Sequence, residues 1–252
     1  MWNNSRLLFA TADFLWVVGS LMLLSALATW GSRQPIVPLT RILVVNELQE
    51  VQRADIEQAL QGLRGNMISV SLDGVRGSLE RLPWVRRAEV RRRWPATLEL
   101  TLHEQKPVAR WGDGTQQLVN VQGEIFYAPG ARRELEGLPV FQGPIGSAPE
   151  ILARYHEAFE VLKPTGRKPK QVTLTARQAW QLRLDDGLWV ELGREQAKAP
   201  VVARLKRFAE IYDPVITSRD SRPSLVDLRY PNGFVMRVAG VSHGSAVIRG
   251  NS

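Results

Sequence analysis

From Phe14 to Ser32 the chain reads FLWVVGSLMLLSALATWGS and carries no charged side chain. Nineteen residues rising about 1.5 Å each cover about 28 Å, close to the ~30 Å hydrocarbon core of a bilayer. Apolar residues surround the whole helix, so the polar face of a water-soluble amphipathic helix is missing. Leu7, Leu8 and Phe9 extend it toward its start, with Asp13 as one costly interruption. Trp16 and Trp30 stand where amphipathic rings favour the two membrane interfaces. The pattern predicts a transmembrane helix at 14–32 behind a short cytoplasmic leader, 1–13. A cleaved signal peptide is the rival reading, because Ala26-Leu27-Ala28 has the A-x-A form and Arg6 supplies a minimal charged region. Both readings export the rest of the chain. Arg6 before the segment and Arg33 and Arg41 after it leave the positive-inside rule without a vote. A short leader before a large following domain favours N-in, C-out.

A chain of 252 residues holds one or two domains. Its 44% hydrophobic and 23% charged content is that of a folded protein rather than a disordered one. The net charge of +8 suits nucleic acid, anionic lipid or an acidic protein partner without choosing among them. The absence of cysteine excludes disulfides, thiol catalysis and Cys-based metal sites.

Gly, Ser and two prolines in 31–38 read as a linker, placed at 33–38, leaving the membrane. Thr40–Val45 follows as a strand rich in Ile, Leu and Val. Ile56, Ala59, Leu60 and Leu63 then recur at helical spacing behind Asp55, and Leu72, Val75, Leu79 and Leu82 repeat the pattern up to Pro83. Val85–Arg93 and Thr97–His103 are strands turned by Trp94-Pro95-Ala96. The second alternates Leu98, Leu100 and Leu102 with polar residues, the mark of one buried and one wet face. The order β-α-α-β-β over 39–106 predicts two helices on one face of a three-stranded sheet.

The second half, 107–240, reads as a β-rich domain with two helices. Strands are expected at Gln117–Val121, Ile125–Tyr127, Val172–Thr175, Ala179–Leu184 and Leu188–Leu192. Helices are expected at Ala148–Leu162 and Ala199–Ile211. Asp185-Asp186-Gly187 and Pro231-Asn232-Gly233 are hairpin turns, the second folding Leu225–Val238. Residues 241–252 read as a short flexible tail.

The residues offer no catalytic set. His103, His156 and His243 are scattered, without metal-ligand spacing. There is no phosphate loop, dinucleotide fingerprint or Gly-x-Ser-x-Gly elbow. Neither a cofactor nor a metal is expected. Two surfaces stand out instead. Arg86, Arg87, Arg91, Arg92 and Arg93 put five guanidinium groups within eight residues, a second contact surface for a carboxylate partner or anionic lipid, or a plain solvated strand face. The hairpin Leu225–Val238 is expected to end the sheet, with Arg229, Tyr230, Phe234 and Arg237 around an edge open to strand addition.

These residues together resemble a known family. Leu82-Pro83-Trp84-Val85 with the basic strand and Arg93-Trp94-Pro95, then Glu104, Lys106-Pro107, Val108-Ala109 and Arg110-Trp111, are similar to motifs of the bacterial division family FtsQ/DivIB. Leu192-Gly193-Arg194 and Val226-Asp227-Leu228-Arg229-Tyr230 resemble its second domain. The resemblance runs from about residue 7 to 240. It implies a type II inner-membrane protein, an α+β fold of a POTRA domain followed by a β domain, and no enzymatic role. It also implies localisation at the division septum, with FtsB- and FtsL-like partners and further divisome membrane proteins, and no nucleic acid. An FtsB-like partner would add along the last strand, at Arg229, Tyr230, Asn232, Gly233 and Phe234, with Arg194 as a carboxylate partner. Pro231 departs from an ideal ladder, because it has no N–H to donate. A POTRA-type periplasmic chaperone or export factor that binds unfolded strands is the alternative function.

Overall fold

The computed structural model describes residues 5–33, 41–62, 67–114, 116–128, 135, 137–212, 223–230, 233–238 and 245–249. The chain divides into two compact units, 1–105 and 106–252.

In the first unit, helix α1 spans Ser5–Arg33, starting and ending outside the expected 14–32. Its stretch Thr11–Trp30 is long and apolar enough to cross a membrane, with a mean hydropathy of 1.7. Phe14, Leu15, Trp16, Leu21, Leu23 and Trp30 are all exposed, so none of the described residues covers this apolar surface. The Ser20 hydroxyl donates to the Trp16 carbonyl at 2.7 Å and Thr29 to the Ser25 carbonyl at 3.0 Å. Such back-bonding satisfies hydroxyls where water is absent.

Strand β1 (Arg41–Val44), helices α2 (Arg53–Leu60) and α3 (Leu72–Leu79), and strands β2 (Val85–Arg93) and β3 (Thr97–Glu104) follow. The sheet order is β1-β3-β2, with β1 parallel to β3 and β2 antiparallel to it. Parallel neighbours need a crossover, which the two helices provide. Leu98, Leu100 and Leu102 of β3 are buried against Ile56, Leu60, Val75 and Leu79, so the period of two in the strand meets the period near four in the helices. This is the predicted β-α-α-β-β order. The Asn46 amide extends the ladder beyond β1, donating to the Leu102 carbonyl at 2.8 Å and accepting its N–H at 3.0 Å. Glu104 accepts the N–H groups of Gln49, Glu50 and Val51 within 2.9 Å, fixing the approach to α2.

The second unit is a ten-stranded sheet in the order β13-β12-β11-β10-β9-β8-β7-β4-β5-β6. Its strands are β4 (Pro107–Trp111), β5 (Gln117–Asn120), β6 (Ile125–Tyr127), β7 (Val140–Gln142), β8 (Pro169–Leu174), β9 (Ala179–Leu184), β10 (Trp189–Arg194), β11 (Pro223–Asp227), β12 (Gly233–Val238) and β13 (Ser245–Arg249). Helix α4 (Ala148–Leu162) joins the parallel pair β7 and β8, and α5 (Val201–Ile211) joins the parallel pair β10 and β11. Each helix is therefore a crossover. They bury Ile151, Leu152, Leu162, Leu205 and Phe208 on a sheet face built from Phe141, Val172, Leu182, Val190 and Val226. The Asp185–Gly187 hairpin turn stands where the sequence puts it, with Asp186 Oδ1 accepting the Leu188 N–H at 3.0 Å.

One expectation fails. Residues 241–252 are not simply a flexible tail, since Ser245–Arg249 pairs antiparallel with β12. The Ala246-Val247-Ile248 core of this strand has β propensity, but five residues among polar neighbours give no readable alternation.

Candidate partner-binding edge

Strand β10 carries a register shift between Glu191 and Gly193, and Gly193 has a φ of +73°. Two arginines close over it. A Cβ at position 193 would meet Arg229 Cγ at 2.8 Å and Arg204 Nη1 at 3.2 Å, so both the backbone conformation and the space demand glycine here. Arg204 is 2% exposed on α5. Its Nη2 donates to the Arg194 carbonyl, tying the end of β10 to the helix. Burial lowers the pKa of this guanidinium, with the charge of Glu195 opposing.

Glu195 holds the same junction from the other side. One oxygen accepts the Val201 N–H at 2.9 Å, capping α5 where its dipole favours an anion. The other pairs with Arg154 of α4 at 2.8 Å, and Arg154 lies 4.9 Å over the Trp180 ring. The end of β10 is thus held by both helices.

At β11 the ladder continues past the strand, with the Leu228 N–H donating to the Glu191 carbonyl at 2.9 Å. Arg229 then turns back on Asp227. Its Nε donates to both carboxylate oxygens, at 2.9 and 3.0 Å, and its Nη2 to Oδ2 at 2.6 Å. Burial alone would raise the Asp227 pKa, but the Arg229 hydrogen bonds and charge outweigh it and hold the carboxyl below its usual value. The Arg229 guanidinium is raised in turn, chiefly by those bonds to Asp227. Arg229 keeps 57% of its side chain exposed, and Tyr230 beside it is 53% exposed.

The structure therefore gathers Arg194, Arg229 and Tyr230 around the ends of β10 and β11, with Gly233, Phe234 and Arg237 on the neighbouring β12. Phe234 is partly buried against the core, and Met236 is fully buried. Arg194 and Arg237 are exposed and make no ion pair among the described residues. Asn232, and Pro231 with it, lies outside the described residues.

The expected open edge is not on β12. Its outer side is taken by β13, in register from Gly233 opposite Arg249 to Arg237 opposite Ser245. The hairpin Leu225–Val238 reads as the end of the sheet because Ser245–Arg249, which covers it, has no legible alternation in the sequence. Arg204 and Glu195 belong to no motif legible in the sequence. The signal for Arg204 is a cation breaking the apolar stripe Val201, Leu205, Phe208.

The basic strand β2 separates into two roles. Arg92 stands on the row of Val90 and Ala88, opposite Leu98. Its guanidinium donates to the carbonyls of Met67, Ile68 and Val70 at 2.9, 3.3 and 2.7 Å, so it fastens the approach to α3. Arg87, Arg91 and Arg93 share the opposite, wet face, where Arg91 pairs with Glu89 at 3.5 Å and Arg93 with Glu99 at 3.6 Å. Arg86 is also exposed, at the bulge between Val85 and Arg87. His103 lies 3.4 Å from Glu89 on the wet face, and His156 sits beside Tyr155 on α4. His243 is outside the described residues. Among the described residues no cluster of three or more His, Asp or Glu could hold a metal.

Comparison with known proteins gives two family matches. The C-terminal domain model of the cell division proteins FtsQ/DivIB matches residues 109–229. The FtsQ-type POTRA domain matches residues 37–105. Among curated relatives, the cell division protein FtsQ of Burkholderia pseudomallei is 38% identical over 242 residues, 96% of each chain. That of Nitrosospira multiformis is 35% identical over 243 residues, covering 94% of this chain and 99% of the relative. That of Escherichia coli K12 is 33% identical over 234 residues, covering 86% and 82%.

Proposed function

This chain belongs to the FtsQ/DivIB family of cell-division proteins, and on that premise we propose that it is a non-enzymatic, single-pass inner-membrane scaffold of the divisome. Its α1 helix spans the membrane, with the POTRA and β domains in the periplasm. An FtsB-like partner, in complex with an FtsL-like one, adds as a strand at the β11–β13 end of the large sheet. Arg194 takes a partner carboxylate, and Tyr230 and Phe234 act as aromatic anchors. The protein thereby links early and late division proteins at the septum.

One observation carries this reading: an exposed tyrosine follows an arginine fastened to Asp227, with exposed Arg194 at the end of the neighbouring strand. Tyr230 follows Arg229, which is fastened to Asp227 and packed over Gly193, while Arg194 is exposed and without an ion pair among the described residues. Aromatic and arginine side chains on such pre-organised supports are the types that dominate binding energies. The exposed guanidinium groups of Arg194 and Arg229 offer charge-assisted hydrogen bonds to a carboxylate on a partner strand.

Titration of the full chain in lipid nanodiscs with the periplasmic segment of the FtsB-like partner tests the site. Tyr230→Ala is expected to cost about 2 kcal/mol, roughly thirtyfold in Kd, with the fold intact. Affinity unchanged in both Tyr230→Ala and Phe234→Ala would remove the site.

A further inference from the structure

Strand β12 is paired along both edges, with β11 on one side and β13 on the other. An antiparallel strand presents its backbone donors and acceptors along these two edges alone. While β13 is seated, an incoming strand finds no open position on β12. The occupant belongs to the same chain, joined through the six residues 239–244. A tether this short holds a strand at an effective concentration of order millimolar, so a strand whose own pairing is tighter than that stays mostly docked.

The occupant is also a poor electrostatic match for its surroundings. From Ala239 to Arg249 the segment holds no Asp or Glu, and Arg249 stands in register with Gly233. Exposed Arg194 and Arg229 stand past the C-terminal ends of β10 and β11, and exposed Arg237 lies farther along β12, opposite Leu225 and Ser245. A strand bearing carboxylates would make charge-assisted bonds there that Ser245–Arg249 cannot.

We infer that β13 is an internal cap on β12, and that an acidic partner strand binds by exchanging with it. The inference rests on the reading that the partner adds at this end of the sheet. Partner affinity is then lowered by the fraction of molecules in which β13 is undocked. A cap seated nine-tenths of the time weakens binding about tenfold.

The test uses the full chain in nanodiscs and two designed forms. In Ala246→Pro/Val247→Pro, one of the two prolines must remove an N–H that faces β12, because neighbouring residues in a strand point their N–H groups to opposite edges. In Val235→Cys/Val247→Cys, two directly opposed positions are linked in a chain that has no other cysteine, locking the cap. Hydrogen exchange of those Gly233–Val238 amides that face β13 is expected to be slow in the natural chain and at least tenfold faster in the proline form. The periplasmic segment of the FtsB-like partner is expected to bind the proline form about tenfold more tightly. It is expected to bind the oxidised cysteine form at least tenfold more weakly than the same form reduced. Unchanged exchange in the proline form overturns the cap. Equal partner binding by all forms overturns the exchange while leaving the edge site standing. No partner binding by any form, with exchange accelerated, overturns the edge reading itself and the exchange with it.

Discussion

Arg229 closes back on Asp227, two residues earlier, through three hydrogen bonds from Nε and Nη2 to both carboxylate oxygens, the shortest 2.6 Å. The pair stands at the end of β11, directly before the exposed Tyr230. Because Asp227 is held ionised in the folded protein, its contribution to stability has a defined pH window. It is fully present above the ordinary carboxyl value of 3.8 and is lost as pH falls through the lowered folded value. Asp227→Asn is expected to cost about 1 kcal/mol at neutral pH and to flatten this acid limb. Urea unfolding across pH 3 to 7 checks both.

Gly193→Ala is expected to destabilise the β domain by about 2 kcal/mol. The alanine would need a φ of +73° and would press on Arg229 Cγ. Since Arg229 must move, partner affinity falls as well, which calorimetry and titration of one variant measure together.

Tyr212 is buried against the Asp185–Gly187 turn, with its hydroxyl donating to Asp186 at 2.5 Å. Burial first, then Asp186, pushes its pKa up to about 12. A phenol raised from 10.0 contributes stability below that value and loses it as pH rises toward about 12. Tyr212→Phe is expected to be less stable than the natural protein at pH 8 by about 1 kcal/mol, with the gap closing by pH 12. Denaturation midpoints at the two pH values decide it.

Arg92→Ala is expected to lower POTRA-domain stability by about 1–2 kcal/mol by freeing three backbone carbonyls. Arg87→Ala and Arg91→Ala, on the wet face, are expected to stay within about 0.5 kcal/mol. Thermal melts of the three variants separate the fastening arginine from the surface ones.

Local pattern made much of this legible. The uncharged run after Asp13, the Leu98-Leu100-Leu102 alternation and the Asp185–Gly187 hairpin each announce themselves within a few residues. What stayed hidden is non-local. Val140–Gln142 is too short to show a period, yet it sits between two parallel neighbours fixed by distant segments. Ser245–Arg249 becomes a strand only because β12 offers an edge. Arg92 reads as one more surface cation until the loop it holds is folded beside it. The Leu192-Gly193-Arg194 motif was visible in sequence, but its reason, two arginine side chains closing over a glycine, needed residues 204 and 229 brought together.

The central claim is that a division partner docks at Tyr230. A photo-crosslinking amino acid placed at position 230, irradiated in dividing cells, tests it most directly. A crosslinked adduct with the FtsB-like partner is expected, absent when the same group replaces Arg87 on the POTRA strand. An adduct at position 87 with none at 230 would contradict it.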